Sequence, residues 1–346
     1  MQDKRGEMMK KIKTEDAVGM ILFHDITKIV PGGFKGRAFK KGHLIKEEDV
    51  QELLSLGKDH IYVWEDIEGF LHENDAAIRL KNLACGEGLV FGEIKEGKID
   101  FIAEYDGLLK IDSEELLNLN MIDEIMMATL HDNMYVKKGE KVGGTRVIPL
   151  VIDEKKIIEA EDKIKNKIVR VVKVNPKKVG IVTTGNEVFH GRIKDAFGPV
   201  IREKAAEYDC EVLGQKILPD DLDKIKSAIL EFIDDGAELI MCTGGMSVDP
   251  DDLTPSAIKA TGAEIITYGS PVLPGAMFLL AYNGDIPIMG LPGCVMHSKR
   301  TVLDLVLPRV LAGERITKRD IASYGQGGLC LNCEVCTFPH CSFGKY

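Results

Sequence analysis

Residues 238–247 read ELIMCTGGMS, an apolar run of strand length that ends in a threonine and two glycines. Residues 178–187, KVGIVTTGNE, have a similar arrangement, and a third apolar run ends in the glycines of residues 286–293, IPIMGLPG. Between these runs lie segments of helical periodicity such as residues 222–232. Because strands that alternate with helices form parallel sheets covered on both faces, we predict a doubly wound, mostly parallel α/β domain over residues 177–313.

The remaining elements of this domain follow from the same periodicities. Ligands of such folds bind beyond the carboxyl ends of the strands, so the loops after these ends form the candidate site. Further strands are predicted over residues 211–218 and 263–268, and helices over residues 199–208, 255–261 and 294–311.

Three glycine-containing loops supply the candidate binding residues. Glycine lets the backbone approach a ligand and present its N–H groups, and hydroxyl side chains add neutral donors, so these loops suit a phosphate. The alternative is that the glycines only turn the chain. The candidates are Thr184, Gly185, Asn186 and Glu187 in the first loop, Gly244, Gly245, Met246 and Ser247 in the second, and Leu291, Pro292 and Gly293 in the third.

Acidic residues lie beside two of these loops. Asp249, Asp251 and Asp252 follow the second loop, and Asp195 comes before a predicted helix. A carboxylate in such a position either caps the helix or binds a metal ion and orients a reacting oxygen. For each aspartate taken alone, capping is the simpler interpretation.

The N-terminal half is less regular. We predict a β-rich region over residues 1–66 and an α+β unit over residues 67–170. The predicted elements are an apolar β-favouring run over 18–26, a helix over 47–56, a strand over 61–64, hairpins over 136–152 and a charged surface helix over 153–167.

The composition is that of a soluble globular protein, with 346 residues, of which 45% are hydrophobic and 29% charged. The net charge of −10 argues against broad binding to nucleic acids or anionic membranes. The sequence starts without an apolar signal segment, and no run of about 18 apolar residues occurs in it. We therefore expect a cytoplasmic protein.

The second loop and the acidic residues after it match a known family. Residues 244–252, GGMSVDPDD, resemble a motif of the molybdopterin-binding domain shared by molybdopterin adenylyltransferases, molybdopterin molybdotransferases and gephyrin. In that motif an aspartate stands seven positions after the second glycine, and Asp252 occupies this position here. Residues 184–187 (TGNE) and 291–293 (LPG) match the other two loops of the family.

The sequence has features of both enzyme branches and departs from each. Residues 253–255 (LTP) match the adenylyltransferases, whereas Ser247 matches the molybdotransferases. Asn186 replaces the usual aspartate, residues 294–295 (CV) replace the usual Asn-Pro, and the Asp-Gly-Tyr-Ala motif of the molybdotransferase linker is reduced to residues 106–107 (DG). The chain most resembles short clostridial-type molybdopterin-binding proteins.

The resemblance implies a protein of molybdenum or tungsten cofactor assembly. A molybdotransferase-like enzyme would insert molybdate into adenylylated molybdopterin, with magnesium as cofactor, Asp252 and Asp195 as catalytic residues and Asp249 in the binding site. One alternative is a non-catalytic molybdopterin carrier, insertion chaperone or redox-sensing partner of a molybdoenzyme. Another is an adenylyltransferase or a nucleotide-phosphate hydrolase on the same fold. The resemblance also implies a homo-oligomer.

Half of the eight cysteines lie in the last residues of the sequence. Cys330, Cys333, Cys336 and Cys341 have the spacing C-x2-C-x2-C-x4-C within a tail over residues 325–346. Four thiolates this close together predict a metal centre, and soft thiolates select either an iron–sulfur cluster or zinc. The remaining alternative is a redox-active or disordered tail without metal. The glycines at its start predict a flexible appendage.

Overall fold

The structure is a computed structural model that describes residues 9–29, 35–64, 69–247, 249–250 and 252–345. It divides into two compact units. The four-part division at 1–66, 67–170, 177–313 and 325–346 stays a prediction. The first unit comprises the described residues of Met1–Glu104, Ile111–Leu130 and Lys138–Arg170, and the second those of Tyr105–Lys110, His131–Lys137 and Val171–Tyr346.

The helices and strands of the described residues are named here in chain order. The strands are β1 (Met9–Lys13), β2 (Ile26–Ile29), β3 (Lys35–Phe39), β4 (His60–Trp64), β5 (Phe70–His72), β6 (Leu89–Phe91), β7 (Ile99–Ala103), β8 (Gly107–Ile111), β9 (Ile125–Thr129), β10 (Tyr135–Val136), β11 (Lys141–Val147), β12 (Val151–Asp153), β13 (Val169–Lys173), β14 (Lys178–Thr184), β15 (Glu211–Leu218), β16 (Leu239–Thr243), β17 (Glu264–Tyr268), β18 (Leu279–Asn283) and β19 (Ile286–Leu291). The α-helices are α1 (Glu47–Ser55), α2 (Glu73–Ala84), α3 (Ser113–Asn120), α4 (Glu154–Lys163), α5 (Asn186–Phe189), α6 (Phe197–Ala206), α7 (Leu222–Asp234), α8 (Thr254–Ala260), α9 (Val302–Leu311) and α10 (Lys318–Ser323). Among them, no helix combines the length and the apolar character that crossing a membrane requires.

The first unit is built on small antiparallel sheets. Its largest sheet has the order β6-β7-β11-β9, and β1 pairs with β4, β2 with β3 and β5 with β12. The predicted helix over residues 47–56 is found as α1, and the predicted strand over residues 61–64 lies within β4. The predicted β run over residues 18–26 is not a continuous strand, because Gly19, with a φ of 83°, turns the chain within it.

The second unit contains the predicted α/β fold. Its six-stranded sheet has the order β15-β14-β16-β19-β18-β17. The pairs from β15 to β19 are parallel, and those from β19 to β17 are antiparallel. Alternate residues of β16 enter opposite cores: Leu239 and Met241 pack in a core with α6 and α9, and Ile240 and Cys242 in a core with α7 and α8. The sheet is therefore covered on both faces, as predicted.

Two element predictions in this unit are wrong. The predicted helix over residues 294–311 is interrupted, since a single 3-10 turn over Gly293–Met296 is separated from α9. Thr301 and Asp304 form a capping box that starts α9 anew, with Asp304 Oδ2 accepting from the Thr301 N–H at 2.7 Å. Strand β18 was not predicted, and α10 follows the helix that was expected to be the last.

Candidate functional site

The ends of three central strands lie side by side at one edge of the sheet. Thr183 of β14 is in register with Thr243 of β16, and Thr243 is in register with Leu291 of β19. The Thr243 hydroxyl donates to the Thr183 hydroxyl oxygen at 3.1 Å. The loops that leave these strands therefore start from adjacent positions.

The second loop is packed tightly against the end of the first strand. Gly244 and Gly245 have φ values of 81° and 55°, in the left-handed region. A Cβ atom on Gly244 would overlap the carbonyl oxygen of Thr184, so only glycine fits there. Thr254 Oγ1 donates to the Gly244 carbonyl at 2.8 Å and lies 3.2 Å from Thr184 Oγ1, which fixes the loop from its other side.

The second and third loops border one cavity of about 600 Å³, called here the loop cavity. Its size is within the range of small-molecule binding sites. Leu291 is fully buried in the core beneath it and does not line it. The predicted residues that do line it are Gly244, Gly245, Met246, Ser247, Asp249, Asp252, Pro292 and Gly293.

The first loop supports this cavity without lining it. Thr184 and Gly185 are buried, and the Asn186 N–H donates to the Asp220 carboxylate at 2.9 Å. The Glu187 side chain folds back over Gly185, since a Cβ on that glycine would lie 2.8 Å from Glu187 Oε1. Ligand contact by residues 184–187 stays a prediction.

Two of the predicted acidic residues are found at the rim of the loop cavity, and Asp251 lies outside the described residues. The Asp249 N–H donates to Asp252 Oδ2 at 3.0 Å, and the Asp252 N–H donates to the Asp249 carbonyl at 2.9 Å. Within the described ranges, no group of three or more His, Cys, Asp or Glu residues is arranged to hold a metal ion. Two carboxylates nevertheless suit magnesium, which proteins often bind through one or two carboxylates together with substrate phosphates.

Asp195 is found at the start of α6, where its carboxylate satisfies the first backbone amides. Asp195 Oδ1 accepts from the N–H groups of Phe197 and Gly198 at 2.9 and 3.2 Å. Gln215 Nε2 donates both to Asp195 Oδ2 at 2.7 Å and to Thr183 Oγ1 at 2.9 Å. The observed role of Asp195 is therefore that of a helix cap, and its catalytic role stays a prediction.

Tyr268 and the segment over residues 273–277 belong to the site but were not predicted from the sequence. The Tyr268 hydroxyl lies 2.8 and 2.9 Å from the carbonyl oxygens of Met246 and Ser247, so it holds the second loop. Burial, and then the charge of Asp252, raise the pKa of Tyr268, which keeps this hydroxyl protonated. The segment over residues 273–277 lines the cavity opposite the loops. Its Leu-Pro-Gly triplet repeats that of residues 291–293, and this repeat was a signal available in the sequence.

Cys294 borders the loop cavity, next to the third loop. Cys294 follows Gly293 and is half-buried. Burial raises the pKa of this thiol above its ordinary value, so Cys294 is a neutral, soft group at neutral pH.

The cysteine-rich tail packs within the second unit, and the prediction of a flexible appendage is wrong. Phe343 is only 3% exposed and belongs to the core that contains α9. The Leu273 N–H donates to the Gly328 carbonyl, and the Cys330 N–H donates to the Leu273 carbonyl, both at 2.8 Å. The four tail cysteines are free thiols and do not form a metal-binding group in the described part of the chain.

Comparison with known proteins identifies two segments of the chain. Residues 180–312 match a family described as "Probable molybdopterin binding domain", and residues 11–65 match a domain of unknown function. The chain is 25% identical to the molybdopterin molybdenumtransferase of Synechococcus elongatus over 144 residues, which are 39% of this chain and 36% of that protein. It is 30% identical to the enzyme of the same name from Staphylococcus aureus over 132 residues, 36% of this chain and 31% of that protein. The chain thus spans about a third of the length of these curated relatives.

A solved structure of similar description is the molybdopterin biosynthesis enzyme MoaB of Thermus thermophilus. It is 25% identical, covers 40% of this chain and 98% of its own, and has a TM-score of 0.34. A CinA-like protein of Mycobacterium avium is 33% identical over 90 residues, 26% of this chain and 21% of that protein.

The family match covers β14 to α9, which include every strand and loop that borders the loop cavity. The part of the chain that forms the loop cavity is therefore the part that matches the molybdopterin-binding domain family.

Proposed function

We propose that the chain binds molybdopterin, free or adenylylated, in the loop cavity and acts as a molybdotransferase-like enzyme of molybdenum or tungsten cofactor assembly. The observation that carries this proposal is that the two family loops Gly244–Ser247 and Pro292–Gly293 border one cavity together with Asp249 and Asp252. The relatives named as transferases supply the reaction, and they align with about a third of their own length.

The loops offer the groups that a phosphorylated pterin needs. The glycines of the second loop allow a phosphate to approach the backbone, and the exposed Ser247 hydroxyl adds a donor. Met246 is 4% exposed and Tyr268 holds its carbonyl, so the loop keeps its conformation before ligand binds. Such preorganisation removes the cost of ordering the loop on binding.

The two carboxylates would hold magnesium at the edge of the bound phosphate. Asp252 Oδ2 is engaged by the Asp249 N–H, which fixes the orientation of this carboxylate. Magnesium bound there would neutralise charge on the phosphate oxygens during transfer or hydrolysis. Asp252 would then act by holding the cation and orienting the phosphate.

A non-catalytic carrier or insertion chaperone for a molybdoenzyme is the second candidate. It is favoured by the hydrogen bond from Asp249 to Asp252, which gives this carboxylate a structural task. A carrier needs the loop cavity and does not need the carboxylates.

The two candidates are separated by measuring AMP release from adenylylated molybdopterin with and without molybdate. We expect molybdate-dependent release by the wild-type chain, and a loss of about 100-fold or more in Asp252→Asn, which keeps an oxygen for the Asp249 N–H. Asp234→Asn, on the exposed end of α7, is the matched control and should be unaffected.

Three other outcomes contradict the transferase. Binding of the pterin without AMP release indicates the carrier. AMP release that does not require molybdate indicates a nucleotide-phosphate hydrolase, and formation of adenylylated molybdopterin from ATP indicates an adenylyltransferase. Full activity of Asp252→Asn removes the carboxylate from the mechanism.

A metal centre on the tail remains a separate proposal. Cys333 and Cys336 are exposed, whereas Cys330 and Cys341 are half-buried against the core, so binding of one ion by all four requires the tail to rearrange. Metal analysis of the protein purified without chelators, with absorption spectroscopy, distinguishes an iron–sulfur cluster from zinc.

A further inference from the structure

The tail forms a second cavity directly beside the loop cavity. This tail cavity has a volume of about 660 Å³ and lies between the tail and the segment over residues 297–300. Leu273, Pro274 and Cys294 line both cavities. A ligand in the loop cavity could therefore extend past these three residues without crossing the protein interior.

The walls of the tail cavity are fixed by contacts on both sides. Lys299 Nζ donates to the Glu334 carbonyl at 2.7 Å. The Arg300 guanidinium lies 5.1 Å from the centre of the Phe338 ring and donates to the carboxylates of Glu207 and Asp304 at 2.8 and 2.7 Å. The segment that follows the third loop therefore holds the tail through two successive side chains.

The lining combines apolar surface, the thiols of the four tail cysteines and positive charge. Leu273 and Leu331 are 56% and 72% exposed, which leaves large apolar side chains uncovered at the cavity mouth. Arg300 is neutralised by its carboxylate partners, whereas Lys299 Nζ donates to a backbone carbonyl. Apolar walls with a few placed polar groups are typical of a binding site for a flat ring system.

We propose that the tail cavity binds a fused heteroaromatic ring, purine or pterin, of a ligand whose phosphate occupies the loop cavity. This inference rests on the proposed function, since it requires phosphate at the second and third loops. Because Leu273, Pro274 and Cys294 line both cavities, a single molecule could place its ring in the tail cavity and its phosphate in the loop cavity. Cys294 follows Gly293 directly, so the ring would enter the tail cavity next to the loop that borders the phosphate.

Calorimetric titration of the full chain with three probes tests this proposal. AMP and neopterin monophosphate each combine a fused ring with a phosphate, and ribose 5-phosphate lacks the ring. We expect at least one ringed probe to bind about 10-fold more tightly than ribose 5-phosphate, since burial of the apolar faces of a ring favours binding. The probe with the larger gain identifies the ring as purine or pterin.

A matched pair of tail variants locates the ring. Leu331→Asp places a charge in the lining of the tail cavity, and Leu331 is exposed enough that folding is retained. Val335→Asp makes the same kind of change at a residue that is 75% exposed and does not line the cavity. We expect Leu331→Asp to abolish the tighter binding of the ringed probe relative to ribose 5-phosphate, and Val335→Asp to leave that difference unchanged. Both variants should bind ribose 5-phosphate equally well.

Two results would overturn the inference. One is equal binding of all three probes, which leaves the phosphate site of the proposed function intact. The other is that a ringed probe still binds more tightly than ribose 5-phosphate to the Leu331→Asp variant. If instead ribose 5-phosphate does not bind the wild-type chain while AMP does, the phosphate site is contradicted, and the inference fails together with the proposed function.

Discussion

The triplet Leu-Pro-Gly occurs twice around the loop cavity, and its two copies divide their tasks in opposite ways. In residues 291–293, Leu291 is fully buried, and a Cβ on Gly293 would meet no atom within 4 Å. In residues 273–275, Leu273 is 56% exposed, and a Cβ on Gly275 would lie 2.7 Å from Val302 Cγ1. Residues 291–293 stabilise the fold through the buried Leu291 and leave space around Gly293. Residues 273–275 instead pack Gly275 against Val302 and leave Leu273 exposed.

The difference follows from where each triplet stands in the fold. Leu291 is the last residue of β19, in the middle of a sheet that is covered on both faces, so its side chain enters a core. Residues 273–275 cross the start of α9, so the glycine meets a helix while the leucine lies at the surface. A motif therefore predicts a location at the cavity, and only the surroundings decide which of its residues carries stability and which is available to a ligand.

Gly275→Ala should give the largest effect. Gly275 has a φ of 139°, which alanine adopts only with strain, and its new Cβ would overlap Val302. Strain and overpacking together should lower the free energy of unfolding by roughly 2–6 kcal/mol, measured by urea denaturation. Gly284→Ala is the control, because Gly284 has a positive φ of 58° and nothing within 4 Å of its Cβ position. Equal losses in both variants would show that overlap with Val302 is unimportant.

Leu291→Ala should come second. It removes a fully buried side chain from the core with α6 and α9, and such truncations cost about 2–5 kcal/mol. Leu291→Met preserves the volume and should cost less than about 1.5 kcal/mol in the same denaturation experiment. A loss in Leu291→Ala no larger than in the methionine variant would contradict the burial of this residue.

Much of the fold could be predicted from the sequence, because its strands are short apolar runs bounded by glycines. The prediction for residues 211–218 coincides with β15, and the apolar run that begins at residue 178 forms β14 as far as Thr184. Strand β18 was missed although Gly284-Asp285, a two-residue hairpin loop that begins with glycine, follows it directly. In a mostly parallel sheet a helix is expected between successive strands. Strand β18 pairs antiparallel with its neighbours at the edge of the sheet, so it did not fit that expectation.

The site was predictable only in part, for a different reason. The second and third loops could be found because glycines mark them in the sequence, and both border the cavity. Gln215 and Tyr268 carry no such pattern, and their roles depend on side-chain contacts across the fold, with Asp195 and with Met246. Likewise, the burial of Phe343 that holds the tail in place could not be read from a glycine-rich, cysteine-rich segment.

Gly293→Ala should weaken binding and slightly raise stability. The space around its Cβ position is open, and its φ is not in the left-handed region, so alanine should raise the free energy of unfolding by about 0.4–1 kcal/mol. The added methyl would enter the loop cavity, and we expect ribose 5-phosphate to bind several-fold more weakly in calorimetry. Unchanged binding, with the stability gain present, would mean that the third loop does not contact the ligand.

Leu273→Ala should have the smallest effect on stability and completes the comparison with Leu291. Its side chain is more than half exposed, and surface truncations change the free energy of unfolding by less than about 0.5 kcal/mol. The backbone hydrogen bonds of Leu273 with Gly328 and Cys330 remain in the variant, so the tail should keep its place. Because this leucine lines both cavities, AMP should bind a few-fold more weakly while ribose 5-phosphate is affected less. A large stability loss in Leu273→Ala would contradict the division of tasks between the two triplets, since exposure would then fail to identify the residue that is free to meet a ligand.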